Sequence, residues 1–191
     1  MIHIHKTLKE KTDECLALLR STNRDGIEEL ISHITRMGYF EAPASWKHHR
    51  FKGGLVSHSL ETYHKAMRLR EEKISEGVDP AQMPKESVII AALMHDLCKA
   101  DVLRYSTTTH RVYSCKKSSG HSIRSVRQVE YSGFPLTTIE NEAILWHMGG
   151  KRICPDEQKR IDYFKTHPLS DIIHKADGKS IGEAKKRHHA S

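Results

Sequence analysis

No apolar run in this chain approaches the roughly 18 to 20 residues that a membrane-spanning helix requires. The longest candidate, Val88 to Met94, is about two helical turns and reads as part of a buried helix. The N-terminus, Met1-Ile2-His3-Ile4-His5-Lys6, lacks an apolar stretch followed by small residues, so a secretory signal is not expected. Cytoplasm is the expected compartment, with no membrane partner. Cysteine is sparse too: Cys15, Cys98, Cys115 and Cys154 are widely spread and form no Cys-x-x-Cys pair. That removes zinc-ribbon and thioredoxin-type readings and leaves reduced, mostly structural thiols. No internal repeat and no low-complexity linker is present.

What is there fits a single globular domain. Hydrophobic residues make up 37% and charged residues 29%, a balance that argues against a largely disordered chain. A length of 191 residues is enough to bury a core without disulfide staples. The formal charge of +7 favours an anionic partner, although part of it comes from the tail Lys185-Lys186-Arg187. The unusual abundance is histidine, at fifteen residues. Imidazole is a common neutral metal ligand and a proton carrier near pH 7, so the argument turns on where these residues fall. His3, His5, His188 and His189 are terminal and are set aside.

Apolar periodicity predicts an all-α bundle of about seven helices with a small hairpin inserted. Thr7 to Arg20 and Asp25 to Met37 are amphipathic, with Asn23 or Asp25 placed to cap the second and Gly38 to stop it. Tyr39 to Gly54, with Pro43, Gly53 and Gly54, reads as a loop that delivers the chain into a helix running to Glu76. Lys85 to Lys99 carries the apolar block and marks a central helix ending in His95-Asp96. The β-branched and aromatic stretch Val102 to Cys115 predicts the hairpin. Helices follow at Ser122 to Tyr131, Thr138 to His147, Pro155 to Lys165 and Leu169 to Asp177. The division expected is N-terminal helices over residues 1–38 packed on the core, a main domain over 39–180 and a basic tail over 181–191.

His95-Asp96 closes the most apolar helix in the chain. An imidazole and a carboxylate are costly to bury there unless something compensates, and a hydrogen-bonded polar pair or a bound cation would each do so. His58, His121, His147 and Asp177 also fall at expected helix ends, beside glycines. Helix bundles build cation sites from ligands on separate helices, but periodicity alone cannot bring these together.

The ordered set His58, His95-Asp96, Asp177 resembles the HD-domain metal-dependent phosphohydrolases. Further wording is similar to small bacterial and phage-borne members: Phe40, Ala42-Pro43-Ala44-Ser45, His48-His49, Gly53-Gly54-Leu55, His58-Ser59-Leu60, His95-Asp96-Leu97-Cys98-Lys99, Gly120-His121 and Trp146-His147-Met148-Gly149. The resemblance covers roughly Tyr39 to Asp177. It implies an all-α fold, a first divalent metal on His58, His95, Asp96 and Asp177, and a second on His121 and His147 with Asp96 bridging. Two ions are favoured over one; otherwise His121 and His147 contact substrate phosphate. Imidazole with carboxylate suits Mn, Fe, Co, Ni or Zn better than Mg.

The function so implied is hydrolysis of a small-molecule phosphate monoester or diester, nucleotide-like, by metal-activated hydroxide, with Asp96 and Lys99 as catalytic residues. Lys99 reads either as an ordinary i,i+3 ion pair with Asp96 or as a cation steadying hydroxide or phosphate; the resemblance favours the second. His48, His49 and Arg50 either line the mouth or solvate a loop, and Arg104, Tyr105 and Arg111 are weaker candidates for base or phosphate contact. Cys98, Trp46 and Trp146 are expected to pack in the core. Three alternatives stand beside this reading. A nucleic-acid partner is raised by the Gly-Gly-Leu-x-x-His entry, which also resembles the HD portion of bacterial exoribonucleases, though no OB-like module is evident. The others are a di-iron oxygenase of the same fold and a non-catalytic, metal-loaded ligand-binding protein. Nothing in the sequence specifies an oligomer.

Overall fold

A computed structural model of the chain describes residues 6–116 and 120–189. His3 and His5 lie outside these residues, as do the side chains of Lys185, Arg187, His188 and His189. The described residues form nine α-helical segments, one 3-10 turn and one two-stranded antiparallel ribbon. α1 (Leu8–Ser21) and α2 (Ile27–Arg36) lead into α3 (Gly54–Ser75) and α4 (Lys85–Met94). A single turn, α5 (Lys99–Val102), feeds β1 (Leu103–Ser106) and β2 (Arg111–Ser114). α6 (His121–Tyr131), α7 (Thr138–Trp146), α8 (Glu157–Thr166) and α9 (Pro168–His189) complete the chain.

Local chemistry sets most of these boundaries. Thr7 with Glu10 and Thr137 with Glu140 form reciprocal capping boxes at the starts of α1 and α7. α2 departs from expectation. Its cap is Gly26 at φ 79° with no side-chain bond, in place of Asn23 or Asp25. The hairpin falls where the β-branched stretch predicts it, with Leu103 opposite Ser114 and Ser106 opposite Arg111.

α3 and α9 pack along one another and both lie against α4, while α7 packs on α4 and α9. Every residue of α4 from Ser87 to Met94 is buried, which is why that segment has no polar stripe.

Two boundaries matter for chemistry. The central helix expected to reach Lys99 ends at Met94. Beyond it the backbone contracts to three-residue bonds, Leu97 N–H to Met94 O at 3.1 Å and Lys99 N–H to Asp96 O at 2.9 Å. In such a tight turn residues i and i+3 eclipse, and the side chains of Asp96 and Lys99 meet. The last helix, expected to stop at Asp177 before Gly178, instead continues to His189. A side chain at Gly178 or Gly182 would meet nothing within 4 Å, so neither is a forced stop. Continued packing sustains the helix: Ser180 and Ala184 are buried. Part of the stretch expected to be a basic tail therefore belongs to this packed helix.

Candidate metal centre

Four structural elements aim side chains at one point. α3 supplies His58, the turn after α4 supplies His95 and Asp96, the end of α7 supplies His147, and the middle of α9 supplies Asp177; all five are buried. His58 Nε2 lies 3.1 Å from Asp177 Oδ1, 3.5 Å from Asp96 Oδ2 and 3.3 Å from His95 Nε2. His95 Nε2 lies 3.3 Å from Asp96 Oδ2 and 3.8 Å from Asp177 Oδ1. On the other side of Asp96, His147 Nε2 is 3.7 Å from Oδ1. The ligand-type atoms of His58, His95 and Asp177 fall within 4.8 Å of one another, as do those of His95, Asp96 and His147.

The hydrogen bonds fix which nitrogen of each ring carries a lone pair. His95 Nδ1 donates to Ala92 O at 2.8 Å and His147 Nδ1 to Ile144 O at 2.7 Å, so in the neutral ring each Nε2 is an acceptor pointed at a carboxylate. Acceptor facing acceptor without a proton or cation between them is unfavourable. Among the described residues, Asp96 Oδ1, His147 Nε2 and Asp177 Oδ1 are buried without a hydrogen-bond partner. Glu140 shows the contrast: equally buried, it receives Arg24, Ser87 Oγ at 2.8 Å and the Thr137 amide at 2.9 Å. A purely structural carboxylate in this protein is satisfied by its neighbours; Asp96 and Asp177 are only partly so. A divalent cation fits the orphaned atoms, and the nitrogen and oxygen donors suit a transition metal.

A model of the HD domain matches residues 55–185. The chain belongs to the HD-domain superfamily of metal-dependent phosphohydrolases. No curated protein and no solved structure matches it.

Electrostatics in this HD domain favour the ligand-ready forms of Asp96, Asp177, His147 and His121 at neutral pH, but not that of His58. Burial works against charge on Asp96, yet Lys99 and His95 beside it hold its carboxyl well below the usual carboxylate range. Asp177 is drawn down to about 2, because His58 and His95 outweigh its burial. Burial chiefly, with His95 nearby, pushes His147 down to about 4, so that its ring is neutral at pH 7. Burial likewise lowers His121. His58 goes the other way: burial opposes its protonation, but the carboxylates of Asp177 and Asp96 prevail and raise it.

The remaining candidates divide sharply. Lys99 Nζ pairs with Asp96 Oδ2 and also faces a cleft of about 670 Å³ lined by Trp46, Leu103, Lys116 and His121 among others. His121 begins α6 behind Gly120, half-buried, with its ring centroid 5.4 Å from that of His147. It stands beside the cluster and outside the groups whose ligand atoms meet within 4.8 Å. His48 and His49 are buried against His58, at ring distances of 5.2 and 5.3 Å, so they are not solvated loop residues. Arg50 is exposed and absent from the cleft lining. Arg104 and Tyr105 line a different depression with Arg36 and Lys52, and Arg111 is exposed at the far end of the hairpin. None of the three lines the cleft beside the cluster or belongs to the groups of converging ligand atoms, which periodicity in so short a ribbon could not reveal.

Cys98 is a packed thiol whose burial pushes it up to about 11. Trp46 overturns its expectation: it is 54% exposed and forms part of the cleft wall, while Trp146 stacks on Tyr163 at 3.7 Å. Glu61 and Ser180 were missed by sequence reasoning. Each lies one helical turn beyond a site residue, His58 and Asp177 respectively, and that i,i+3 spacing was the available signal.

Proposed function

We propose that this chain hydrolyses a phosphate ester of nucleotide type. His58, His95, Asp96 and Asp177 would hold one divalent ion, and His147 and His121, with Asp96 shared, a second. The observation carrying this reading is the set of three buried atoms without hydrogen-bond partners, on Asp96, His147 and Asp177. Lys99, which pairs with Asp96, and His121, whose ring neighbours that of His147, both line the adjoining cleft.

A divalent ion bound there supplies Lewis acidity, lowering the pKa of a coordinated water and offsetting phosphoryl charge. The protein's own groups do the rest. Lys99 balances the charge of Asp96 and presents an ammonium to the cleft, where it stabilises negative charge developing on phosphoryl oxygens. Lys116, paired with Asp101, also lies on the cleft wall, and Trp46, Val102 and Leu103 give the cleft an apolar side suited to a base or sugar. Its volume suits a nucleotide-sized ester.

The test is metal analysis of tag-free protein followed by a panel of nucleotides and phosphodiesters with Mn, Fe, Co, Ni and Zn. Saturable hydrolysis of free mononucleotides is expected. RNA cleavage with steep salt-dependent affinity would point to a nuclease, iron-dependent oxygen uptake to an oxygenase, and metal-replete protein without turnover to a ligand-binding role.

A further inference from the structure

Two hydrogen-bonded chains, one from His58 in the metal centre and one from His48 packed against it, end on the two oxygens of a single carboxylate. His58 Nδ1 lies 3.2 Å from Ser180 Oγ, and Ser180 Oγ donates to Glu61 Oε2 at 3.2 Å. His49 Nε2 lies 3.2 Å from Glu61 Oε1, and His49 Nδ1 lies 3.2 Å from His48 Nδ1. An ionised carboxylate only accepts. It follows that Ser180 spends its proton on Glu61 and accepts from His58 Nδ1–H. His49 donates from Nε2, accepts at Nδ1, and takes that bond from His48 Nδ1–H.

In the neutral rings both chains leave Nε2 as the lone-pair nitrogen, on His58 and on His48. His58 Nε2 is the atom directed at Asp177, Asp96 and His95. The backbone is bent to make the second chain. His49 holds a left-handed φ of 48°, unusual for a residue with a side chain, and its carbonyl sits where a side chain at Gly54 would have to go.

We infer that Glu61, through Ser180 and His49, is the positioning residue that sets the tautomers of His58, His49 and His48 and so keeps His58 Nε2 available to a metal ion. The metal part of this inference rests on the proposed function; the tautomer part does not. Outer hydrogen bonds of this kind orient a ligating imidazole and raise its basicity.

The experiment pairs Ser180→Ala, Ser180→Thr and Glu61→Gln with the wild type. Affinity for Mn and Zn is measured by titration into chelator-treated protein, and imidazole tautomers are assigned from nitrogen-15 NMR of the same metal-free samples over a pH series that extends above the raised folded value of His58, where its ring is neutral. Ser180→Ala should lose roughly 10- to 100-fold in metal affinity and disturb the His58 tautomer while leaving His49 as it was. Glu61→Gln should disturb both, and Ser180→Thr, which keeps the hydroxyl, should restore affinity to within a few-fold. Circular dichroism of each metal-free variant guards against loss of fold, and Ser180→Thr keeps the inference testable if Ser180→Ala unfolds. Unchanged tautomers and affinities in folded Ser180→Ala and Glu61→Gln overturn the inference with the metal site intact. Wild-type protein that binds neither ion, yet shows the expected tautomers, overturns the proposed function instead.

Discussion

His147 Nε2 and Asp96 Oδ1 lie 3.7 Å apart, both buried, and neither has a hydrogen-bond partner. A lone pair facing a buried carboxylate oxygen is unfavourable until a proton or a cation comes between them. Asp96 also meets His58, His95 and Lys99, so one carboxylate reaches all three buried imidazoles of the centre and the lysine beside it.

That makes Asp96 the position whose loss costs most. Asp96→Ala is expected to abolish turnover and to strip the protein of metal, as read by elemental analysis of the purified variant. Full metal content with a wild-type rate would refute its role.

Lys99→Ala separates charge stabilisation from metal holding. Removing one preorganised cation from a developing oxyanion lowers kcat by about 100- to 1000-fold in comparable sites. The expectation here is that loss with metal content unchanged. A variant that loses metal and rate together would reassign Lys99 as a structural partner of Asp96.

Chelation should destabilise the fold, since an ion that binds only the native state adds about 2.7 kcal/mol when present at 100 times its Kd. For a chain of this length that corresponds to about 5 to 10 °C in Tm. Thermal melts with and without EDTA, followed by metal re-addition, measure it; identical melts would show that no such ion is held.

In the chelated protein, acid should be destabilising from about pH 6.5 downward. His147 titrates at about 4 and His48 at about 3 in the fold, against 6.5 for an ordinary histidine, in both cases chiefly because of burial. Between those values the unfolded chain binds protons that the native state refuses, so stability falls as pH falls. Lowered Asp96 and Asp177 extend the loss below 3.8. His58, raised, acts in the opposite direction: its contribution is complete below 6.5 and fades as pH climbs through its folded value. Melts from pH 7 to pH 4 in EDTA should therefore decline, and His147→Gln should shrink the decline. A flat profile contradicts the burial argument.

Gly54→Ala tests the loop that delivers His48 and His49. An added Cβ would sit 2.0 Å from the His49 carbonyl, a backbone atom that cannot swing aside. A cost of about 2 kcal/mol or more is expected, with loss of metal affinity as the His48–His49 turn shifts. A stable variant with unaltered affinity would show that the turn yields easily.

Much of the architecture was legible because it rests on local rules. The seven-residue apolar block of α4 required a central helix, the glycines and prolines of the 39–54 loop required irregular backbone, and the β-branched run required strands. The order of His58, His95-Asp96 and Asp177 along the chain resembles the HD family, and the HD-domain match bears that out. Where local rules misled, packing had overridden them: Gly178 reads as a stop, but α3 holds α9 helical through it.

By itself, the sequence determined which elements form and which side chains carry metal-binding chemistry, since propensity and residue type act over a few neighbours. Only the tertiary structure decided that residues 58, 95, 96, 147 and 177 meet, that Arg104, Tyr105 and Arg111 do not join them, and that Trp46 faces a cleft. It also placed Glu61 and Ser180, 119 positions apart, within hydrogen-bonding reach of one another. Distances of this kind are set by how whole helices cross and by which atoms are left without partners, and neither is written in any short stretch of chain.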